Sequence, residues 1–294
     1  MTLSTTVRAL ARRIWRASPV GSVSADPEPW YDVVASPWAR LHSPADGVEC
    51  NVCGWTGSSF TGSSHCEASE CPQCGSVGRD RFLIHSLCSR VPAGSGLRLL
   101  ETSPRMGDGY RTSMGRWFDY TTSDFDERAH KGSIQLDLQD IALPDASVDV
   151  FMSAHVLEHV PDTDRALAEV HRVVAPGGWL VLQVPVLQAS TAPPEEPEFH
   201  GDDTPVFWRF GFDLTDRLRT RGFETELLCT HDLLDLVAGG ADAWPGPSSP
   251  EFDADAIVAG AVAADLVSVA DAEDVARLGI EPAYMYLTWV GRRA

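Results

Sequence analysis

A chain of 294 residues is long enough for one large α/β domain and a small accessory module. Its apolar content of 44% is that of an ordinary globular protein. Its longest uninterrupted apolar run, Ala256–Ala264, falls far short of the ~20 residues that span a bilayer. A formal net charge of −19 repels a phosphate backbone and disfavours nucleic acid as the main partner.

Thr2–Ser18 lacks a continuous apolar core, so no secretory signal is read there and a cytoplasmic protein is expected. Val7, Leu10, Ile14 and Trp15 share a face in this basic stretch, which reads either as an amphipathic surface helix or as a terminus docked on the acidic body. Residues 1–45, rich in Pro, Ser and Ala towards their end, read as an extension or linker. Residues 46–80 form the first informative unit. Cys50-x-x-Cys53 and Cys71-x-x-Cys74 are each followed by glycine, which lets a tight turn aim two thiolates at one ion. Four thiolates satisfy a closed, tetrahedral, structural zinc site, and metal would supply much of the folding free energy of so small a module. Cys66 and His65 are competing ligands, and free or redox-active thiols are the alternative reading. Cys88 and Cys229 sit in apolar segments as small core residues.

Arg81–Val91 reads as a helix. Leu97–Thr102, Trp117–Phe125, Ile134–Leu138, Val148–Met152 and Trp179–Val184 read as short strands, several of them apolar on both faces, as a covered parallel sheet requires. Between the last two, Leu167, Val170 and Val174 recur at helical spacing after cap candidates Asp162, Thr163 and Asp164. Pro176-Gly177-Gly178 is expected to stop that helix. A strand–helix–strand unit of this kind is a right-handed crossover, and doubly wound sheets bind ligands beyond the carboxyl ends of their strands.

Over Ile134–Val186 the residues run D-L-x-D-x-x-L-P-D-x-S-V-D-V, then H-V-L-E-H-V, then A-L-x-E-x-x-R-V-x-x-P-G-G, then a strand ending V-P. This order resembles class I S-adenosylmethionine-dependent methyltransferases of the type 11 kind, in outline from Leu97 to Arg293. The resemblance implies a seven-stranded Rossmann-like sheet over residues 81–294. The words Cys71-Pro72-Gln73-Cys74-Gly75-Ser76 and Arg79-Asp80-Arg81 resemble a subgroup with an N-terminal four-cysteine zinc ribbon ending CPxCGSxxRHR, with Asp80 in place of the usual histidine.

The resemblance also implies a donor site. The glycine-rich loop usual after the first strand is missing, and Glu101-Thr102-Ser103-Pro104-Arg105 stands there. The zinc-ribbon subgroup shows H-x-A-P-E at this place, so Pro104 fits while Glu101 and Arg105 depart. Glu101 is expected to hold the donor's ammonium, with Thr102 and Ser103 beside it. Asp124, with Asp126 as the alternative, would take the ribose hydroxyls, two of which suit a bidentate carboxylate. Asp137 would accept from the adenine amino group and Leu138 would lie against the ring. Ser153 and His155 would line the sulfonium end. Asp145 and Asp149 read as a turn and a structural bond. His159 has three open readings: a general base, a divalent-ion ligand in an E-x-x-E-H-like element, or a structural bond partner alongside Glu158.

After Pro185 a long polar loop leads to Glu198-Phe199-His200 and Phe207-Trp208-Arg209-Phe210, where acceptors usually bind in the family. His200, Asp203 and Arg209 are acceptor-site candidates, and His155 or His200 is the candidate base. Phe212–Arg221 reads as a helix and Phe223–Thr230 as a strand. An acidic insertion spans about 238–280, and Tyr284–Gly291 is the closing antiparallel strand. The function expected is methyl transfer from S-adenosylmethionine to an oxygen or nitrogen of a small-molecule or sugar-like acceptor. The alternative is a non-catalytic binding protein on the same fold.

Overall fold

The computed structural model describes residues 47–62, 69–92, 96–126, 132–200, 203–244, 253–280 and 286–294. The basic N-terminal stretch, the linker that follows it, and His65 and Cys66 lie outside these residues.

The described residues begin with a small two-stranded unit, β1 (Val48–Glu49) antiparallel to β2 (Thr56–Gly57). A helix, α1 (Gly78–Arg90), leads into the main body. There follow β3 (Arg98–Thr102), α2 (Asp108–Trp117), β4 (Asp119–Asp124), β5 (Ile134–Gln135) and β6 (Val148–Ala154). Next come α3 (Thr163–Val173), β7 (Val174–Gln183), the hairpin strands β8 (Glu198–Phe199) and β9 (Pro205–Val206), and α4 (Leu214–Thr220). The chain closes with β10 (Phe223–Thr230), α5 (His231–Gly239), α6 (Ala254–Ala263), β11 (Leu266–Ala270), α7 (Ala272–Arg277) and β12 (Leu287–Arg293).

The central sheet has the order β11-β10-β12-β7-β6-β3-β4-β5. Only β12 runs antiparallel to its neighbours, β10 and β7; the other pairings are parallel. The order reverses at β3, the point where doubly wound sheets open a crevice at their carboxyl edge. Both faces are covered. Leu83, Ile84, Leu87, Tyr110 and Met114 of α1 and α2 pack on one. Leu167, Val170, Leu218, Leu233 and Ile257 of α3 to α6 pack on the other. At the opposite, amino edge, the buried Asp149 carboxylate accepts two bonds from the Arg98 guanidinium at 2.9 Å and one from the Arg98 amide at 2.8 Å, tying β6 to β3.

Three expectations need correction. The sheet has eight strands, not seven, because the acidic insertion contributes β11, which extends the edge in parallel with β10. The third expected strand is cut to Ile134–Gln135: Asp137 already sits in a turn, paired with Asp140. Pro176-Gly177-Gly178 does not end α3. The helix stops at Val173, where the Val174 amide donates to Val170 O, and Val174 already pairs with Val148 of β6. The Pro-Gly-Gly stretch is instead a bulge inside β7, opposite Asp149. Gly178 is required there, because a Cβ would lie 2.8 Å from the Asp149 carbonyl.

The four-cysteine unit is held rigidly on the main body. Arg81 is completely buried and donates to Ser76 O (2.7 Å), Ser69 O (2.9 Å) and Leu278 O (2.7 Å), with its guanidinium 3.7 Å from the Phe60 ring centroid. Arg277 of α7 reaches Glu49 of β1 at 2.8 Å. A buried guanidinium that collects carbonyls from both sides is a joint, since moving the unit would strand the charge.

Candidate donor cavity and four-cysteine centre

Two matching turns build the cysteine centre. The Gly54 amide donates to Cys50 O (2.7 Å) and the Gly75 amide to Cys71 O (2.9 Å). Both glycines take positive φ, +76° and +73°, a backbone that a side chain disfavours. The turns bring the four Sγ atoms within 4.8 Å of one another. Cys50 and Cys74 Sγ are 3.7 Å apart, and Cys53 and Cys71 Sγ 3.8 Å. Tetrahedral zinc with sulfur at ~2.3 Å places its ligands ~3.8 Å apart, so this thiol set could hold the ion with little movement. Contacts from Cys50 and Cys53 pull the Cys71 thiol well below its ordinary value, and contacts led by Cys50 bring Cys74 down to about 7.

The second site is a cavity of about 640 Å³ at the carboxyl edge of β3, β4, β5 and β6. Thr102, Ser103, Asp124, Asp137, Leu138 and His155 all stand on its wall, and so do Asp126, His159 and His200. Asp124 closes β4, where its carbonyl accepts from the Leu136 amide (2.8 Å) and its carboxylate from the Asp126 amide (3.3 Å). Gly132 runs against this strand end so closely that a Cβ would come within 2.7 Å of the Asp124 nitrogen. Asp137 accepts from the Gln139 amide at 2.9 Å, which fixes its carboxylate at the next strand tip.

Two cavity residues carry uncommon backbone. Ser103 (φ 45°) and His155 (φ 54°) lie in the left-handed region at the ends of the adjacent strands β3 and β6. Such conformations cost a non-glycine residue on the order of 1 kcal/mol and persist where neighbours fix them. Here the Ser103 amide donates to Ser123 O (2.7 Å) and the His155 amide to Gln183 O (2.9 Å).

Two of the expected donor residues are not on the cavity wall. Glu101 alternates to the other face of β3, against α2, where its carboxylate accepts from Tyr110 Oη (2.9 Å) and from Tyr120 Oη. Burial pushes its carboxyl up to about 7, against the pull of the two phenols. Ser153 is buried behind the wall and its Oγ accepts from Thr102 Oγ1 at 2.7 Å. Of the acceptor-side candidates, Arg209 pairs with Glu198 (2.8 Å) across the β8 region and Asp203 stands in the β8–β9 turn. Neither reaches the wall; His200, in the same hairpin, does.

A cluster of titratable groups backs the cavity. His159 lies edge-on to His200, ring centroids 4.6 Å apart. His159 Nδ1 is 2.7 Å from Pro205 O and must donate to it, so Nε2 is its accepting nitrogen. Glu158 is 2% exposed, with Oε1 3.8 Å from His155 Nδ1 and 3.9 Å from His159 Nε2. Neither of its carboxylate oxygens is hydrogen-bonded to another described residue. Burial pushes its carboxyl up to about 8. Burial, with the Arg79 and Arg105 charges, holds His155 well below its ordinary value, and the ring is neutral. Of the aromatic residues at the wall, Phe207 (38% exposed) belongs to the run expected on the acceptor side, whereas Phe125 (57% exposed) was not anticipated from the sequence. Its only signal was position, just past a strand end.

Two of the three departures from the zinc-ribbon subgroup noted above are Asp80 for histidine and Arg105 for glutamate. They meet each other. The Arg105 guanidinium forms an ion pair with the Asp80 carboxylate.

Residues 116–182 match the family model described as a methyltransferase domain. A protein of Mycolicibacterium smegmatis named as a probable S-adenosylmethionine-dependent methyltransferase is 35% identical over 92 residues, covering 30% of this chain. The match takes in 34% of that protein, so the chain spans about a third of the length of the curated relative it matches. Among solved structures, an S-adenosylmethionine-dependent methyltransferase of Mesorhizobium loti is 19% identical with a TM-score of 0.42, over 71% of this chain and 96% of that one. The phosphoethanolamine N-methyltransferase 2 of Haemonchus contortus is 14% identical with a TM-score of 0.41, over 73% and 52%. The main body is an α/β fold with a mostly parallel, doubly wound sheet, and the stretch that matches the methyltransferase-domain model runs from the end of α2 into β7. Among the described residues, no helix is long and apolar enough to cross a membrane.

Proposed function

We propose that residues 81–294 form a methyltransferase that uses S-adenosylmethionine and alkylates an oxygen or nitrogen of a small-molecule or sugar-like acceptor. Residues 46–80 are its zinc ribbon. The observation that carries this reading is the pair of carboxylates, Asp124 and Asp137, at adjacent strand tips of one cavity large enough for a nucleoside. Asp124 holds the ribose hydroxyls, Asp137 the adenine amino group, and Leu138 packs on the ring. Thr102, Ser103 and His155 line the opposite end, with Ser153 setting the Thr102 hydroxyl from behind.

The bound donor supplies an activated methyl on sulfur. The chain's own residues therefore align the acceptor with that methyl and keep water out, and alignment accounts for most of the acceleration. His155 is neutral and shaped into the wall, but its burial makes it a weak base. We assign it to positioning, and His200, on the acceptor-side hairpin, to taking the proton the acceptor sheds. Phe125 and Phe207 offer apolar faces against which a ring-shaped acceptor can stack. The net charge of −19 supports a small acceptor over a nucleic acid.

Isothermal calorimetry with S-adenosylmethionine and S-adenosylhomocysteine tests this reading on the intact, zinc-loaded protein. One-site binding is expected. Asp124→Asn and Asp137→Asn should each weaken it by roughly tenfold or more, as loss of a charged acceptor does. A wild-type protein that binds neither compound sinks the proposal.

A further inference from the structure

We infer that Asp80 and Arg105 form a clasp through which the four-cysteine unit positions the donor loop. The inference rests on the methyltransferase reading. Its physical motive is the loop itself. The loop lacks the glycines that the resemblance leads one to expect after β3, and Ser103 is held at φ 45° without being glycine. Contacts must replace the missing backbone freedom. Pro104 fixes its own φ, and Arg111 donates to Pro104 O at 3.3 Å. Arg105, two residues beyond the cavity wall, is held from outside by Asp80.

Asp80 is well suited to hold it. It is 5% exposed, and the oxygen that pairs with Arg105 also accepts from the Val77 amide (2.9 Å), capping α1. The turn it caps is continuous with the cysteine centre. Ser76 Oγ lies 3.3 Å from both Cys50 and Cys74 Sγ, and Ser76 O accepts from the buried Arg81. The same turn touches the other side of the cavity. Gln183 Nε2 donates to Arg79 O (3.3 Å), while Gln183 O accepts from the His155 amide (2.9 Å). One helical turn, set by the cysteine unit, therefore braces the two strand tips that carry left-handed backbone.

The test is calorimetry with S-adenosylhomocysteine on full-length zinc-containing protein, with melting temperature measured in parallel. R105Q should weaken binding about tenfold, the scale of coupling between contacting groups, and leave the melting temperature nearly unchanged. R105K should recover most of the loss. D80N keeps an oxygen to accept from Val77, and the double variant D80N/R105Q should be no weaker than R105Q alone. If D80N does not fold, the comparison of R105Q with R105K decides. Equal affinity of wild type and R105Q, or additive losses in the double variant, overturns the clasp. A wild type that binds no donor overturns the methyltransferase reading, and the clasp with it, which is a distinct result.

Discussion

Cys71→Ser is expected to strip the protein of tightly bound zinc and to release the segment before α1 from the main body. The four Sγ atoms already stand at the spacing a tetrahedral ion needs. A hydroxyl replaces a thiolate poorly at zinc, and three remaining ligands open the site to water. Structural zinc is worth on the order of 10 kcal/mol to small modules of this kind, more than the unit's few apolar contacts can replace. The consequence extends past the unit. Arg81 has its carbonyl partners on both sides of the joint, so loss of the cysteine turns leaves a buried guanidinium short of Ser76 O and Ser69 O. The variant should therefore lose zinc in a stoichiometric metal assay. It should also melt well below wild type and become cleavable before Gly78 by a dilute protease. A variant with one zinc lost and an unchanged melting profile would show that the ion is not structural.

The order of strands and helices was legible because each carries its own local signal. Leu99–Leu100 and Val150–Met152 pointed to covered strands, and Leu167 and Val170 fixed the face of α3. The cysteine centre was legible for the same reason: both turns and their glycines are written within five residues. Readings failed where a side chain's meaning depends on what faces it. Glu101 was assigned to the cavity from its place at a strand end. The period-2 alternation of β3 sends it to the α2 face, and nothing local says that Tyr110 and Tyr120 wait there. Pro176-Gly177-Gly178 has the composition of a helix stop, yet Gly178 is needed because a Cβ there would lie 2.8 Å from the Asp149 carbonyl of β6, a long-range fact. β11 was hidden inside an acidic stretch because an edge strand buries little and needs only a weak apolar pattern.

The Asp80–Arg105 pair is an intermediate case. Asp80 and Arg105 were each visible as a departure from a motif, one in the ribbon and one in the donor loop. Their contact appears only when α1 and the loop after β3 are brought together. Arg81 was visible too, but as a motif letter. Its full burial could not be inferred from a residue type that is almost never fully buried unless paired.

Glu158→Gln is expected to stabilise the protein at alkaline pH and to leave it nearly unchanged near pH 5. Burial raises the Glu158 carboxyl from its ordinary 4.5 to about 8 in the folded chain. Between those values the folded protein keeps a proton that the unfolded chain releases. The stabilisation that protonation allows is complete below pH 4.5 and is lost as pH rises through 8, where a bare, buried carboxylate must sit beside His155 and His159. A gap of that size corresponds to a penalty on the order of a few kcal/mol by pH 9. Glutamine carries no proton equilibrium and does not incur it. Urea unfolding of wild type and variant at pH 5, 7 and 9 should give two curves that separate with rising pH, the variant above. The opposite order at pH 9 would mean that the nearby imidazoles and Arg79 stabilise the ionised carboxylate. Function adds a second readout. With Glu158 protonated, burial and the Arg79 and Arg105 charges keep the His155 ring neutral at the end of the cavity. Ionisation above pH 8 places a charge 3.8 Å from its Nδ1 and raises its basicity. Donor affinity in wild type should accordingly change across pH 8, and in Glu158→Gln it should not.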